Sequence, residues 1–97
     1  MQRYLTVYIL ECSDGSFYTG LTNDIDRRLF EHQKGLNTES YTFNRRPVKL
    51  VFQEEFEDFD HAYDFERQIK GWRRDKKLAL IEGQWDSLKD LAKRSKG

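Results

Sequence analysis

The chain has 97 residues, enough for one domain with one modest hydrophobic core and too few for a second domain of ordinary size. Charged residues make up 35% and aromatic residues 14%, and this combination excludes an intrinsically disordered chain. Basic and acidic residues balance at 17 each, so the net charge by itself indicates no class of partner.

The charges are nevertheless distributed unevenly. Residues 41–53 carry three basic and no acidic residues, residues 54–66 carry seven acidic and no basic residues, and residues 67–97 carry ten basic and four acidic residues. We therefore expect an anionic partner to contact the middle loop and the C-terminal third. The alternative interpretation is a solvated helix surface, which charge runs form more often.

Cysteine content and hydropathy indicate the compartment. Cys12 is the single cysteine, so no intrachain disulfide can form, which fits a reducing environment. No apolar run reaches the length of a membrane span, and the N-terminus leads into an alternating strand instead of a signal-peptide core. We expect a cytoplasmic protein.

The first predicted element is a β-hairpin. Residues 4–11 combine β-branched, aromatic and aliphatic side chains, which is typical of a mostly buried strand. Residues 13–16 contain Asp-Gly, a turn signal because glycine accepts positive φ, and residues 17–20 form the return strand.

A helix, a polar loop and a third strand follow. Thr22, Asn23 and Asp24 are N-cap candidates, and Lys34-Gly35 ends the helix as a basic last turn followed by glycine. The loop at 36–47 holds the only proline, Pro47, and residues 48–56 form the third strand.

The C-terminal half is predicted to be helical. Asp58 or Asp60 caps a helix whose apolar stripe contains Ala62, Phe65, Ile69 and Trp72. Gly71 is not expected to end this helix, residues 76–81 continue it, and Gly83 precedes a final amphipathic helix at about 84–94 with Trp85, Leu88, Leu91 and Ala92.

The element order β-β-α-β-α-α predicts the fold class. It indicates a single α+β domain over residues 1–97, with its core at 4–81 and a small three-stranded antiparallel-type sheet flanked by helices.

Five side chains are candidates for catalysis: Tyr8, Tyr18, Arg28, His32 and Glu66. The two tyrosines lie on paired strands, and whether they share a face depends on the strand register. Arg28 and His32 are spaced i, i+4 and project from one helix face. A carboxylate can hold a divalent cation, an arginine can clamp a phosphate, and a phenol or imidazole can move a proton. The set therefore suits phosphate-ester hydrolysis.

Ordinary packing also explains each of these residues separately, and from residue types alone it is the favoured interpretation. A strand tyrosine commonly packs with its hydroxyl at the rim of the core. Arg28 can pair with Glu31 at i+3, Glu66 can pair with a lysine at i+4, and His32 can be a neutral histidine near the helix end.

The ordered motifs carry a family resemblance over residues 4–81. Thr6-Val7-Tyr8 places Tyr8 ten residues before Tyr18 of Tyr18-Thr19-Gly20, and Arg28 lies eight residues after Gly20. Together with the stretches at 65–70 and 40–51, this set resembles the GIY-YIG nuclease superfamily. It is most similar to small bacterial single-domain members that resemble the catalytic domain of the excision-repair nuclease C subunit.

The chain departs from the family pattern at several points. Thr6 replaces the first glycine of the first triplet, and Thr19 replaces the aliphatic residue of the second. We find no counterpart of the asparagine that some family restriction enzymes carry after the glutamate, and no added DNA-binding domain. Substrate specificity is therefore expected to be weak or to depend on a protein partner.

The resemblance implies a metal-dependent DNA endonuclease, with a possible role in repair or recombination. Glu66 would bind one Mg²⁺ or Mn²⁺, Arg28 would hold the nonbridging phosphate oxygens, and Tyr8 would take the water proton with help from Tyr18 or His32. Gly20 would permit close backbone approach, and Tyr41 would be a further site residue. A tyrosine base needs a depressed pKa, because its ordinary value is about 10.

DNA contact would involve two basic patches, namely Arg45, Arg46 and Lys49, and Arg73, Arg74, Lys76 and Lys77. These are mainly phosphate contacts, so we expect structure-dependent or weakly specific cutting. One alternative is a non-catalytic nucleic-acid- or protein-binding module on the same fold. Another is a protein that docks on partners through Trp85, Leu88 and Leu91.

Overall fold

The computed structural model describes residues 4–83, in which strands and helices follow one another in the predicted order. The elements are β1 (Leu5–Glu11), β2 (Phe17–Thr22), α1 (Ile25–Lys34), β3 (Lys49–Phe56), α2 (Phe59–Lys70) and α3 (Arg74–Ile81). A short 3₁₀ helix, Phe43–Arg45, interrupts the loop between α1 and β3. The predicted helix at about 84–94, with Trp85, Leu88, Leu91 and Ala92, lies outside the described residues.

The three strands form one antiparallel sheet with the order β2-β1-β3. This architecture, with helices on the sheet, confirms the predicted α+β class. In the hairpin, Tyr8 lies opposite Gly20 and Leu10 lies opposite Tyr18. This register decides the question that the sequence left open, because it puts both tyrosines on the same face of the sheet.

Each face of the sheet carries its own apolar cluster. Val7 and Ile9 point to one face, where they pack with Ala62, Ile69 and Leu80 of α2 and α3. Tyr8 and Leu10 point to the other face and pack with residues that include Cys12, Val48, Ile25 and Leu29. The central strand is therefore buried on both sides, which explains why residues 6–10 are apolar or half-polar without clean alternation.

The helix termini follow local capping rules. Asp24 caps α1 by accepting the Arg27 backbone N–H at 3.1 Å, and Gly35 ends the helix at φ 67°, a left-handed conformation that glycine adopts without penalty. Of the two cap candidates for α2, the N-cap is Asp58, which accepts the Asp60 N–H at 2.9 Å.

The expected continuation of α2 through Gly71 is wrong. The helix ends at Lys70, and Gly71 and Trp72 close a tight turn by donating their N–H groups to Gln68 and Ile69. Because the chain turns there, α3 can return Leu80 to the cluster that contains Ile69. Burial of this apolar surface outweighs the propensity for one longer helix.

None of the helices within residues 4–83 is long and apolar enough to cross a membrane.

Candidate active site

Tyr8 occupies the centre of the candidate site, on the sheet face that it shares with α1. Its side chain is fully buried, and its ring lies directly over Gly20 on the neighbouring strand. A Cβ atom at position 20 would overlap the phenol ring of Tyr8. Gly20 therefore makes room for a side chain of this protein, which is a more specific role than the general backbone approach expected from the sequence.

Tyr18 and Tyr41 extend the aromatic cluster toward the surface. The Tyr18 ring lies 6.3 Å from that of Tyr8 and stacks on Tyr41 at 6.1 Å with an interplanar angle of 20°. The guanidinium of Arg45 lies over the Tyr41 ring, 3.8 Å from the ring centroid. The structure thus brings Tyr41, which the loop resemblance suggested, into the same cluster as both motif tyrosines.

His32 connects this cluster to the loop after α1. Its Nε2 lies 3.1 Å from the Tyr8 hydroxyl, and its Nδ1 lies 2.7 Å from Oγ1 of Thr42. Thr42 in turn lies 3.1 Å from Oγ of Ser40. Tyr8, His32 and Thr42 are all buried, so these contacts form a series of hydrogen bonds in the interior of the protein.

Arg28 lies one helical turn before His32 and shares its side of α1. Its Nε pairs with Glu31 at 3.2 Å, the i, i+3 ion pair that the packing interpretation anticipated. Both residues nevertheless line an open pocket of about 400 Å³ together with Tyr18, His32 and Thr42. A partly exposed guanidinium beside a pocket is available to a phosphate, and the weak surface pair with Glu31 does not prevent this.

Burial and nearby charges determine the protonation states in this cluster. Burial raises the pKa of the Tyr8 phenol well above its ordinary range, Tyr18 adds to the rise, and Arg28 partly opposes it. Burial lowers the pKa of His32, and the positive charge of Arg28 lowers it further. At neutral pH the site therefore contains a protonated phenol and a neutral imidazole.

Glu66 lies on α2, and α2 packs on the opposite face of the sheet from the Tyr8 ring, chiefly over β2 and β1. The Glu66 residue is 8% exposed, and its Oε1 pairs with Nζ of Lys70 at 3.3 Å. This is the i, i+4 pair expected from packing. Whether the Glu66 carboxylate joins Tyr8 and Arg28 in one site stays a prediction.

The basic residues proposed for DNA contact differ in their surroundings. Arg45 donates to Asp14 at 3.1 Å and to the Tyr41 carbonyl at 2.7 Å, and Arg46 donates to the Phe43 carbonyl at 2.9 Å. Both arginines therefore brace the loop at 36–47. Arg74 stacks on Phe17 at 4.7 Å and donates to the carbonyl of Gly15. One residue of each patch thus contacts the hairpin turn between β1 and β2.

The remaining basic residues lie around these contacts. Lys49 is exposed on β3 opposite Glu11, and Arg73 is exposed at the N-cap of α3. The Lys76 ammonium lies over the Trp72 ring, 5.5 Å from its centroid. Lys77 is half-buried, and burial together with the charge of Lys70 lowers its pKa.

Sequence reasoning missed Thr42 and Ser40. Their roles depend on the path of an irregular loop that returns to α1, and no periodicity reports such a path. The one available signal was the polar triplet Ser40-Tyr41-Thr42 inside the stretch that carries the family resemblance.

Comparison with known proteins now decides the family. The sequence model of the GIY-YIG catalytic domain matches residues 4–79, which include every element from β1 to most of α3. The chain belongs to the GIY-YIG family.

Relatives within the family are UPF0213 proteins. A UPF0213 protein of Staphylococcus saprophyticus is 47% identical over 75 residues, covering 77% of this chain and 90% of the relative. A UPF0213 protein of Staphylococcus aureus is 47% identical over 76 residues, covering 78% and 92%. These relatives share nearly their whole length with this chain.

Two solution structures have the same architecture. A UPF0213 protein from Bacillus halodurans aligns with a TM-score of 0.55 at 42% identity, over 81% of this chain and 83% of that one. A protein from E. faecalis aligns with a TM-score of 0.61 at 34% identity, over 84% and 86%. The likeness to GIY-YIG proteins therefore holds in sequence and in fold.

Proposed function

We propose that this GIY-YIG protein is a divalent-metal-dependent endonuclease that hydrolyses DNA phosphodiester bonds, in repair or recombination. The observation that carries the proposal is the buried hydrogen bond between Tyr8 and His32, located beside Arg28 at a pocket open to solvent. Phenol, imidazole and guanidinium together can move a proton and stabilise phosphate charge. A core that only needed to pack would gain little from this polar chain.

The Tyr8 hydroxyl would act by passing a proton on. Tyr8 is fully buried next to the pocket residues Tyr18 and His32, so a bound substrate would have to bring the attacking water to its hydroxyl. As the oxygen of that water attacks phosphorus, the phenol oxygen would take a proton from the water and release its own proton to Nε2 of His32. The phosphorus–oxygen bond to the leaving group breaks, and solvent protonates the departing oxygen. Because one proton arrives as another leaves, Tyr8 does not have to exist as a free phenolate despite its raised pKa.

Arg28 would stabilise the transition state. Its guanidinium lines the pocket next to His32 and can donate two hydrogen bonds to the nonbridging oxygens of a phosphate. A substrate phosphate would compete with Glu31 for these donors, and an exposed ion pair offers little resistance to such an exchange.

Glu66 is the residue that would hold the metal ion. Its carboxylate is mostly buried, yet the partner Nζ belongs to Lys70, whose side chain is 61% exposed. A buried carboxylate with so weak a partner costs stability, which fits a group retained to bind a cation. Helix α2 lies against β2, the edge strand that also carries Tyr18. Bound there, Mg²⁺ or Mn²⁺ would neutralise charge on the scissile phosphate and on the leaving oxygen.

The ion would keep many of its water ligands. Within residues 4–83 no group of three or more His, Cys, Asp or Glu side chains is arranged to hold a metal. Coordination by one carboxylate, substrate oxygens and water suits Mg²⁺, which dehydrates reluctantly.

DNA would be held chiefly through its phosphates. Arg45 and Arg74 both donate to residues of the same hairpin turn, so a duplex crossing this turn could meet both basic patches. Such contacts carry no sequence information, which favours structure-dependent or weakly specific cutting, with a protein partner supplying further specificity. We propose that the enzyme acts in the cytoplasm; a role in excision repair rests on the motif resemblance alone.

Glu66→Gln provides the decisive test. The amide keeps the shape of the side chain and removes the charge, so we expect cleavage with Mg²⁺ or Mn²⁺ to be lost while DNA affinity stays near the wild-type value. Stability should be unchanged or slightly raised, because an uncompensated buried charge is removed. Cleavage of linear, flapped and branched DNA is measured beside thermal unfolding.

Asp64→Asn is the matched control, since it removes an exposed carboxylate from the same helix. It should cut like the wild type. Equal cutting by E66Q and the wild type would contradict the proposed metal ligand. A wild-type protein that binds DNA but cuts none of these substrates with either ion would favour the non-catalytic binding module instead.

A further inference from the structure

Thr42 has an unusual position for a loop residue. It lies in the segment between α1 and β3, yet it is only 1% exposed. Its Oγ1 is 2.7 Å from Nδ1 of His32 and 3.1 Å from Oγ of Ser40. A buried hydroxyl in a loop needs such partners, and here its main partner is an active-site imidazole.

The hydrogen-bond partner of Tyr8 fixes which group donates in each hydrogen bond between Tyr8, His32, Thr42 and Ser40. Within residues 4–83, Nε2 of His32, 3.1 Å away, is the one hydrogen-bond partner of the Tyr8 hydroxyl. A buried phenol needs an acceptor for its single proton, so the hydroxyl donates that proton to Nε2. Nε2 is then an acceptor, and in a neutral imidazole the proton must be on Nδ1.

We propose that Thr42 is a positioning residue that holds His32 as the Nδ1–H tautomer by accepting its Nδ1–H, with the Nε2 lone pair directed at the Tyr8 hydroxyl. The proton of Thr42 itself then goes to Oγ of Ser40. Each side chain in this series of hydrogen bonds then has a partner: Tyr8 donates to His32, His32 donates to Thr42, and Thr42 donates to Ser40.

The kinetic consequence rests on the proposed function. If Tyr8 takes a proton from water and passes its own to Nε2, that nitrogen must be unprotonated beforehand. In the opposite tautomer, Nε2–H would face the phenol and could not accept. Thr42 would therefore support hydrolysis without touching the substrate, in the way that outer hydrogen-bond partners orient a catalytic imidazole.

Nitrogen NMR of the histidine side chains tests the tautomer without any substrate. The chain contains two histidines, and His61 is 78% exposed, so an H61N background isolates the His32 signals. At about pH 7.5, above the ordinary histidine pKa of about 6.5, we expect the Nδ1–H tautomer in the wild-type sequence. A predominant Nε2–H form there would overturn the proposal, whatever the variants do.

Thr42→Val and Thr42→Ser form the matched pair. Valine has the shape of threonine without an acceptor, so His32 should move to the Nε2–H tautomer or a mixture. Serine keeps the acceptor and should retain Nδ1–H. Ser40→Ala leaves the Thr42–His32 bond in place and should also retain it, which gives a second reading if T42V folds poorly. Retention of Nδ1–H in a folded T42V protein would overturn the role of Thr42.

Cleavage assays complete the test. We expect T42V to lose about 10- to 100-fold in rate, the usual range for removing a partner of a site histidine, with DNA affinity unchanged and T42S near the wild type. The pH–rate profile should also change in T42V. The charged and titratable groups that face His32 are the same in all these variants. They are Tyr8 on β1, Tyr18 on β2, and Arg28 and Glu31 on α1.

The two proposals fail separately. A changed tautomer in T42V, in a protein whose wild type cuts no DNA, would support the positioning of His32 and overturn the nuclease function. An active wild type whose rate is unchanged in T42V would overturn the positioning role and leave the nuclease function in place.

Discussion

Tyr8 shows how burial of a single side chain alters the expected chemistry. The sequence suggested a tyrosine with a depressed pKa, since a phenol that acts as a base is more effective when it ionises easily. The structure instead buries the ring fully, and desolvation raises the pKa of the phenol more than Arg28 lowers it. The proposed relay through His32 would reconcile a raised pKa of Tyr8 with proton transfer.

His32 should make the stability of the protein depend on pH. Its pKa lies below the ordinary value of about 6.5, so the folded protein binds the proton less readily than the unfolded chain does. The stabilisation from the neutral imidazole is present above about pH 6.5 and is lost as the pH falls through the lower, folded-state pKa.

We therefore expect His32→Asn to weaken the fall in thermal stability between about pH 7 and pH 5, relative to the wild type. Thermal unfolding is recorded at both pH values. His61→Asn, at an exposed position, controls for the loss of an imidazole. A fall in H32N as steep as in the wild type would show that other groups, such as the carboxylates, carry the acid sensitivity.

The elements contribute to the site through register and close packing. The hairpin pairs Tyr8 with Gly20, and the missing side chain at position 20 lets the Tyr8 ring cross β2 toward His32. The second motif triplet thus supplies one tyrosine and also the space for the other. Thr19 lies between Tyr18 and Gly20 in the sequence, so its side chain points to the opposite face of the sheet, where it is buried.

Gly20→Ala should destabilise the protein by about 1–3 kcal/mol, the usual cost of inserting a methyl group into a filled core. It should also displace the Tyr8 ring and reduce cleavage. Gly71→Ala is the control, because a Cβ there meets only the Gln68 carbonyl at an ordinary 3.8 Å and φ is −86°. Denaturant unfolding of both variants checks the difference, and equal stabilities would contradict the close packing at Gly20.

At the scale of the whole molecule, the basic surface is organised around the hairpin turn. Arg45 and Arg74 approach this turn from separate regions of the sequence. Arg45 also braces the loop that carries Tyr41 and Thr42. Substitution of Arg45 therefore tests the loop as well as DNA binding, and the exposed residues Arg73 at the N-cap of α3 and Lys76 within it are better probes of phosphate contact.

The double variant R73A/K76A should lower the salt dependence of DNA binding. Each lost phosphate contact is expected to reduce the slope of log affinity against log salt by about 1, so the double variant should lose about 1 to 2. Binding is titrated at several salt concentrations. Arg67→Ala, which removes a cation stacked over Tyr63 on α2, should retain the wild-type slope. An unchanged slope in R73A/K76A would place the DNA-binding surface elsewhere.

Within residues 4–83, the sequence by itself determined the order of the strands and helices. Alternating apolar residues, an Asp-Gly turn, acidic caps and the C-terminal glycine of α1 are local signals, and each acts over a few residues. The family motifs identified the candidate site residues. The spacing of these motifs along the sequence follows from the strands and helices that carry them. The error at Gly71 arose where packing of Trp72 and Leu80 against the core overrides local helix propensity.

Tertiary structure alone decided the connections between these elements. The shared face of Tyr8 and Tyr18 follows from strand register, which no single strand specifies. The contact of Thr42 with His32 depends on a loop that folds back on α1, and the raised pKa of Tyr8 depends on everything packed around it. Such effects come from residues distant in sequence, since desolvation and hydrogen bonding depend on position in space.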